Sequence, residues 1–186
     1  MNILQQRFFQ RNTVQVAQDL LGCIVVRKYN NQIISGKIIE TEAYTADDPA
    51  CHAYRGKTKR NAALFGQVGS AYVYMSYGLH YCLNVVAREQ NALAGGVLIR
   101  ALQPLEGIEK MHILRNKKNQ KLLTNGPGNV TQALGVTIEQ NGLALNEKNG
   151  LWIVQPENKS IIDITATPRI GISVAQDKLW RFLLKL

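Results

Sequence analysis

The chain has 186 residues, of which 46% are hydrophobic and 19% charged, a balance that indicates one folded domain and excludes a disordered chain. No apolar run is long enough to span a membrane, and the N-terminal MNILQQR lacks the apolar core of a signal peptide, so we expect a cytoplasmic protein without membrane contacts. The formal net charge of +9 favours a polyanionic partner, and three scattered cysteines exclude a disulfide framework.

The N-terminal quarter of the chain predicts a helix followed by two strands. Asn12 is a favourable N-cap, Gln15 can complete a capping box with it, and Gly22 offers a helix stop. The predicted elements are a helix over 13–21, a strand over 23–29, a turn at 30–31 and a long strand over 32–44.

The remainder predicts short strands and helices in alternation. Tyr77-Gly78 favours a tight hairpin turn, and Pro104 suits the start of a helix, where its missing N–H costs little. Predicted strands cover 71–77, 79–87, 96–102, 151–155 and 160–166; predicted helices cover 59–65, 104–115, 117–123 and 129–134, with a sharp turn at 126–128. The pattern indicates an α+β fold, a single domain over 1–186 with a curved, mostly antiparallel sheet, a protruding β-hairpin and peripheral helices.

The basic residues are unevenly distributed. Segments 49–88 and 110–138 contain no Asp or Glu but several Lys and Arg. Such segments are typical of a surface that binds nucleic acid, although a basic charge that only maintains solubility gives the same composition.

Glu40, Glu42 and Tyr44 alternate along the long predicted strand, so their side chains share one face of the sheet. Two carboxylates at the end of an apolar strand are unusual. Taken alone, however, this spacing equally fits the solvent-facing side of an amphipathic strand.

Four tyrosines lie within residues 72–81, around the predicted hairpin turn. Tyrosine rings can stack on nucleic-acid bases, but tyrosine is also common in ordinary strands. Tyr77, beside the turn glycine, is poorly placed for a core and well placed to act as a wedge in a minor groove.

Arg100 interrupts an apolar strand, so it needs a carboxylate partner or, on an edge strand, a route to solvent. His52 falls in a predicted loop. The three histidines, His52, His80 and His112, lack metal-ligand spacing, and no phosphate-binding glycine loop or nucleophile elbow is present.

Several segments, in order, resemble the alkyladenine (3-methyladenine) DNA glycosylase family. They are Ile39-Glu40-Thr41-Glu42-Ala43-Tyr44, Ala50-Cys51-His52, Tyr72-Val73-Tyr74-Met75-Ser76-Tyr77-Gly78, Asn84, Leu98-Ile99-Arg100-Ala101-Leu102-Gln103-Pro104, Gly126-Pro127-Gly128 and Arg169-Ile170-Gly171-Ile172. The resemblance implies a monofunctional enzyme that flips damaged purines out of duplex DNA and hydrolyses the N-glycosidic bond during base excision repair.

The resemblance also implies roles for individual residues. Glu42 would be the general base that activates water, and Arg100 with the backbone carbonyl of Ile170 would hold that water. The flipped base would be sandwiched by Tyr44, His52 and Tyr74. Tyr77 would fill the gap left in the duplex, and Asn84 would line the pocket and clash with the 2-amino group of guanine.

One carboxylate and one water suffice for this chemistry, so we expect no metal or organic cofactor. The resemblance supplies no amine nucleophile, which implies hydrolysis without strand cleavage. The expected partner is double-stranded DNA containing damaged purines, bound by a monomer with no obligate protein partner. The order of preference among 3-methyladenine, 7-methylguanine, hypoxanthine and ethenoadenine stays open.

Two other functions fit part of the pattern. A non-catalytic nucleic-acid-binding module would use the same tyrosines and basic segments, but it has no use for Glu42, which would repel phosphates. A glycosidase acting on free nucleosides would not need the broad basic surface.

Overall fold

The structure, a computed structural model, describes residues 2–156 and 163–185, and one antiparallel sheet organises them. Its strands are β1 (Asn2–Ile3), β2 (Ile24–Tyr29), β3 (Gln32–Thr45), β4 (Ala71–Ser76), β5 (His80–Val86), β6 (Gly95–Glu106), β7 (Leu151–Gln155), β8 (Ile164–Thr167) and β9 (Arg181–Leu184). The order is β1-β7-β2-β3-β6-β5-β4, and β9 pairs with β3 and β8. Every strand pairing in the described ranges is antiparallel, which confirms the predicted fold class.

Short helices pack around this sheet. They are α1 (Gln6–Phe9), α2 (Thr13–Asp19), α3 (Ile108–Arg115) and α4 (Pro127–Leu134), with 3₁₀ turns at Ala62–Phe65, Gln120–Leu122 and Ile138–Gln140. The Asn12 side chain accepts hydrogen bonds from the N–H groups of Val14 and Gln15 at 3.0 and 3.3 Å, which confirms it as the N-cap of α2. Helices α2 and α4 bury their apolar faces against β3, β5 and β6 and so form the core.

Strand β3 is the axis of the fold because it has neighbours along its whole length. Strand β6 flanks one edge. On the other edge, β2 pairs with residues 32–37 and β9 with residues 40–42. The β3–β6 register is irregular on both sides of Glu40, where the neighbour on the other edge changes from β2 to β9. Such irregularities bend a strand. The last part of β3 is therefore enclosed by β6 and by a segment distant in sequence.

The β4–β5 hairpin ends in a tight turn, as predicted. Tyr77 (φ 51°) and Gly78 (φ 68°) both adopt left-handed conformations, and the Leu79 N–H donates to the carbonyl of Ser76 at 3.0 Å. A positive φ is unusual for tyrosine, and two such residues in succession give the twist that a hairpin requires. This backbone places Tyr77 at the extreme tip.

The helix predicted over 104–115 is wrong in its first part. Strand β6 continues to Glu106, and Pro104 pairs with Gly36 next to a register irregularity in the β3–β6 ladder. Proline is tolerated there because an irregular ladder does not require its missing N–H. Helix α3 begins at Ile108, after Gly107 with φ 70°.

Other element boundaries also differ from the prediction. The helices expected over 59–65 and 117–123 contain only the 3₁₀ turns at 62–65 and 120–122. Helix α4 begins at Pro127 rather than 129, since proline suits the first helical position, so the expected turn at 126–128 is largely the first turn of the helix. Elements α1, β1 and β9 were not predicted.

Part of the strand predicted over 160–166 lies outside the described residues, namely 160–162. Of the described part, residues 164–166 belong to β8, which spans Ile164–Thr167. No helix in residues 2–156 or 163–185 is long and apolar enough to cross a membrane.

Candidate active site

A cavity of about 590 Å³ opens where the hairpin, β3, β6 and the C-terminal segment meet. This volume is within the usual range of about 300–1,000 Å³ for small-ligand pockets. Its lining comes from five separate parts of the chain and includes the aliphatic Ile170 and the following polar and aromatic residues: Tyr44, His52, Arg60, Tyr72, Tyr74, Tyr77, Cys82, Asn84 and Arg100.

Glu42 lies directly behind the cavity wall and is fully buried. Its Oε1 accepts the Ile170 N–H at 2.8 Å, and its Oε2 accepts the Tyr44 hydroxyl at 2.7 Å. Arg100 Nη1 lies 3.3 Å from Oε2. The three residues that supply these donors all line the cavity, so a single layer of donors separates the carboxylate from the open space.

Arg100 contacts two carboxylates, which excludes the alternative that its side chain reaches solvent from an edge strand. Its Nε donates to Glu40 Oε1 at 2.8 Å while Nη1 faces Glu42. Burial alone would lower the pKa of this guanidinium, but the two carboxylates reverse the effect and raise it. Arg100 is thus a fixed positive charge between two negative ones.

Glu40 is held from a second side by Arg181 of β9, whose Nε donates to Oε1 at 2.6 Å. The register places Glu40 opposite Leu183 and Glu42 opposite Arg181. Positive and negative side chains therefore alternate across the floor of the site, in the order Arg181, Glu40, Arg100 and Glu42. Such alternation offsets the cost of burying each charge.

A second buried ion pair, Arg169 with Asp48, supports the same site. Arg169 Nη2 donates to Asp48 Oδ1 at 3.1 Å, and Nη1 bonds both Asp48 Oδ2 and the carbonyl of Ala43, the latter at 2.9 Å. Both side chains have no exposed surface. The Arg169 guanidinium also lies 4.7 Å from the centre of the Tyr44 ring. Because Ile170 follows directly, this pair fixes the backbone N–H that reaches Glu42.

An aromatic group forms one wall. The His52 and Tyr74 rings are 4.6 Å apart at 75°, and the Tyr72 and Tyr74 rings are 5.3 Å apart at 30°. His52 Nδ1 and the Tyr72 hydroxyl share a hydrogen bond of 2.9 Å. Partial desolvation, with a smaller effect of the Arg60 charge, lowers the pKa of His52, so its ring is neutral near pH 7. Burial raises the pKa of Tyr72 to about 12.

A methylpurine-DNA glycosylase family model matches residues 7–186. The chain belongs to the methylpurine-DNA glycosylase family. This assignment confirms the resemblance seen in the sequence, and the protein is a DNA glycosylase.

Relatives of this DNA glycosylase align over nearly their full length. A protein of Carboxydothermus hydrogenoformans is 48% identical over 183 residues, covering 98% of this chain and 95% of the relative. One from Francisella tularensis is 46% identical over 175 residues, covering 93% and 90%. One from Methanoculleus marisnigri is 44% identical over 185 residues, covering 98% and 95%. The names of all three assign them to the 3-methyladenine DNA glycosylases.

The fold of this glycosylase brings together every site residue selected from the sequence. Asn84 is buried beside the aromatic wall, where its Nδ2 donates to the carbonyl of Tyr72 at 3.2 Å. Tyr77 stands at the rim with 88% of its surface exposed. For Ile170, the sequence predicted a role of the carbonyl; the geometry involves its N–H, and the role of the carbonyl stays a prediction.

Sequence reasoning missed Asp48, Arg169, Arg181, Tyr72 and Arg60 as parts of the site. Arg169 stood in a recognised segment without a role, and its partner lies 121 residues away. No local spacing links such residues. Tyr72 was included only in the general concentration of tyrosines. Within the described ranges, no group of three His, Cys, Asp or Glu side chains could hold a metal ion.

Proposed function

We propose that this protein excises damaged purines from duplex DNA by flipping the base into the cavity and hydrolysing its N-glycosidic bond. The single observation that carries the proposal is Glu42, buried behind the cavity wall and surrounded by donors from Tyr44, Arg100 and Ile170. A carboxylate in that position serves chemistry rather than binding to a polyanion.

Base flipping is needed because an enzyme cannot reach the glycosidic bond of a stacked base. Extrusion costs a few kcal/mol, and stacking on aromatic side chains returns about 1–3 kcal/mol per base. The aromatic lining formed by Tyr44, His52 and Tyr74 supports such stacking. Tyr77, exposed at the hairpin tip, would take the place of the extruded base in the duplex.

Hydrolysis would proceed as the C1′–N bond breaks and its electron pair leaves with the base. The sugar then gains oxocarbenium character, which the negative charge of Glu42 stabilises. A water held by Arg100 and the Ile170 carbonyl adds its oxygen to C1′, and Glu42 accepts the proton. A cationic alkylpurine leaves as a neutral base, so it needs no further proton.

Asn84 would exclude normal guanine from the cavity by clashing with its 2-amino group. Its buried side chain is tied to the Tyr72 carbonyl, so it cannot swing away freely to admit an additional exocyclic amino group. The acid-free basic segments would bind phosphates on either side of the lesion. The enzyme would act as a monomer on chromosomal DNA in the cytoplasm.

The decisive experiment is single-turnover release of 3-methyladenine from alkylated duplex DNA by the native protein and by Glu42→Gln. The native protein should release the base, and the variant should bind the same DNA while its rate falls by about 10³-fold, since general-base catalysis contributes about 10²–10⁴-fold. If both bind DNA and neither releases a base, the protein is a binding module.

Treatment with borohydride tests whether the reaction is hydrolysis by water. An amine nucleophile would form a covalent intermediate with the sugar that borohydride traps on the DNA. We expect released base and an intact strand with no trapped adduct. A protein–DNA adduct that accumulates with base release would contradict the proposed mechanism.

A further inference from the structure

Among the described residues, Arg60 differs from the other charged side chains around the cavity in having no oppositely charged partner. The carboxylates Glu40, Glu42 and Asp48 each contact at least one guanidinium group, from Arg100, Arg181 or Arg169. Arg60 also lines the cavity, yet among the described residues no carboxylate forms an ion pair with it. Within the part of the chain that the structure describes, the aromatic side of the cavity therefore carries a positive charge without a carboxylate partner.

This guanidinium is placed against the wall where a base would stack. Arg60 Cζ lies 5.6 Å from the centre of the Tyr74 ring, within the range of a cation–π contact. Its Nη2 makes a long hydrogen bond of 3.4 Å to the carbonyl of Met75. Arg60 makes no other hydrogen bond within residues 2–156 and 163–185, so the remaining donors of its five N–H groups can face the cavity that it lines. A positive charge at this position makes the same wall less attractive to a second cation.

Damaged purines differ in the two properties that Arg60 can sense. 7-Methylguanine carries a positive charge in DNA, and its methyl group blocks N7. Hypoxanthine is neutral and presents O6 and N7 as acceptors, the pair that a guanidinium recognises with two donors. Repulsion disfavours the first base and hydrogen bonding favours the second.

We propose that Arg60 is a specificity-determining residue that biases the cavity toward neutral damaged purines such as hypoxanthine and away from cationic alkylpurines. The inference rests on the proposed function and deepens it. An aromatic pocket would otherwise favour cationic bases through cation–π attraction, but here the Arg60 guanidinium of the protein already makes a cation–π contact with Tyr74.

The test compares single-turnover release of hypoxanthine and of 7-methylguanine from otherwise identical duplexes. Arg60→Gln should lower the ratio of the hypoxanthine rate to the 7-methylguanine rate by about tenfold, because hypoxanthine loses two donors whereas 7-methylguanine loses a repelling charge. Arg60→Lys keeps the charge but not the two parallel donors, so it should still disfavour 7-methylguanine while it releases hypoxanthine more slowly than the native protein. Arg60 is exposed and has one long hydrogen bond, so the variants should fold normally, which thermal unfolding checks.

Lys59→Gln is the matched control, since it removes a neighbouring charge that does not line the cavity. It should affect both lesions by the same factor, as loss of a phosphate contact does. If Arg60→Gln also lowers both rates equally, or changes neither, Arg60 does not determine specificity. If the native protein releases neither base, the proposed function has failed instead.

Discussion

The floor of the cavity and the hairpin at its rim are stabilised in opposite ways. On the floor, Glu42, Arg100 and Arg169 are buried, and each is held by partners from distant segments. At the rim, Tyr77 and Leu79 expose 88% and 75% of their surface. Floor residues are held by the fold before any ligand arrives, whereas rim residues gain their contacts only when a partner covers them.

The contrast separates effects on stability from effects on binding. Breaking a buried ion pair leaves an uncompensated charge, so substitutions in the floor should change both the free energy of unfolding and catalysis. Truncating an exposed side chain changes few contacts of the free protein. Rim substitutions should therefore leave the protein stable and affect only its interaction with DNA.

The largest effect on stability is expected from Asp48→Asn. This change leaves Arg169 charged and buried without its carboxylate, and we expect a loss of about 3–5 kcal/mol in the free energy of unfolding. Urea denaturation measures it. Asp19→Asn is the control, because the Arg11–Asp19 pair is partly exposed and should contribute less than about 1 kcal/mol. Equal losses in the two variants would contradict the distinction between buried and exposed pairs.

A smaller effect, mainly on rate, is expected from Glu40→Gln. The amide would keep the shape of the side chain but would hold Arg100 less firmly than the carboxylate does, and a small displacement of a positioning group can reduce rates by about 10–100-fold. Single-turnover excision should slow while DNA affinity stays nearly native. Glu109→Gln, an exposed change on α3, should leave the rate unaltered. A native rate in Glu40→Gln would show that Arg100 is held well enough by Glu42 alone.

Tyr77→Ala should weaken the interaction with damaged duplex DNA by about tenfold, because a base-sized side chain no longer fills the stack. Its free energy of unfolding should remain native. Tyr54→Ala removes another exposed tyrosine, one that does not line the cavity, and should retain native affinity. A clear loss of stability in Tyr77→Ala would place this side chain in the folded core and overturn the contrast between floor and rim.

The smallest effect concerns the titration of His52, whose pKa in the folded protein lies below the ordinary 6.5. Below pH 6.5 the unfolded chain takes up this proton more readily than the folded protein, so stability falls as the pH drops toward the folded pKa. Nuclear magnetic resonance of the imidazole should show titration below pH 6.5. In the Arg60→Gln variant the pKa of His52 should rise, because the nearby positive charge of Arg60 is gone. An unchanged pKa of His52 in this variant would mean that desolvation alone lowers it.

Sequence patterns located the parts of the site that depend on local geometry. Alternation along β3 put Glu40, Glu42 and Tyr44 on one face, and Tyr77-Gly78 located the hairpin tip. The position of Arg100 within an apolar strand predicted that its charge needs a partner. Each inference used only the periodicity of a strand or the chemistry of a turn.

The interactions that sequence could not locate join segments distant along the chain. Arg169 and Asp48 meet because β9 and the preceding loop fold back on the end of β3, and neither short β9 nor the loop has a strong local pattern. The prediction that a helix starts at Pro104 was wrong for a related reason. Its acceptance within β6 depends on an irregularity in pairing with β3, which is a property of two strands rather than one.

The central claim is that the floor performs the chemistry and the rim helps to extrude the base. The most direct measurement is the fluorescence of an ethenoadenine in duplex DNA, which reports its unstacking, after mixing with Glu42→Gln or with Tyr77→Ala. We predict that Glu42→Gln unstacks the base like the native protein without releasing it, whereas Tyr77→Ala unstacks it less. Failure of Glu42→Gln to unstack the base, or native unstacking by Tyr77→Ala, would contradict this division.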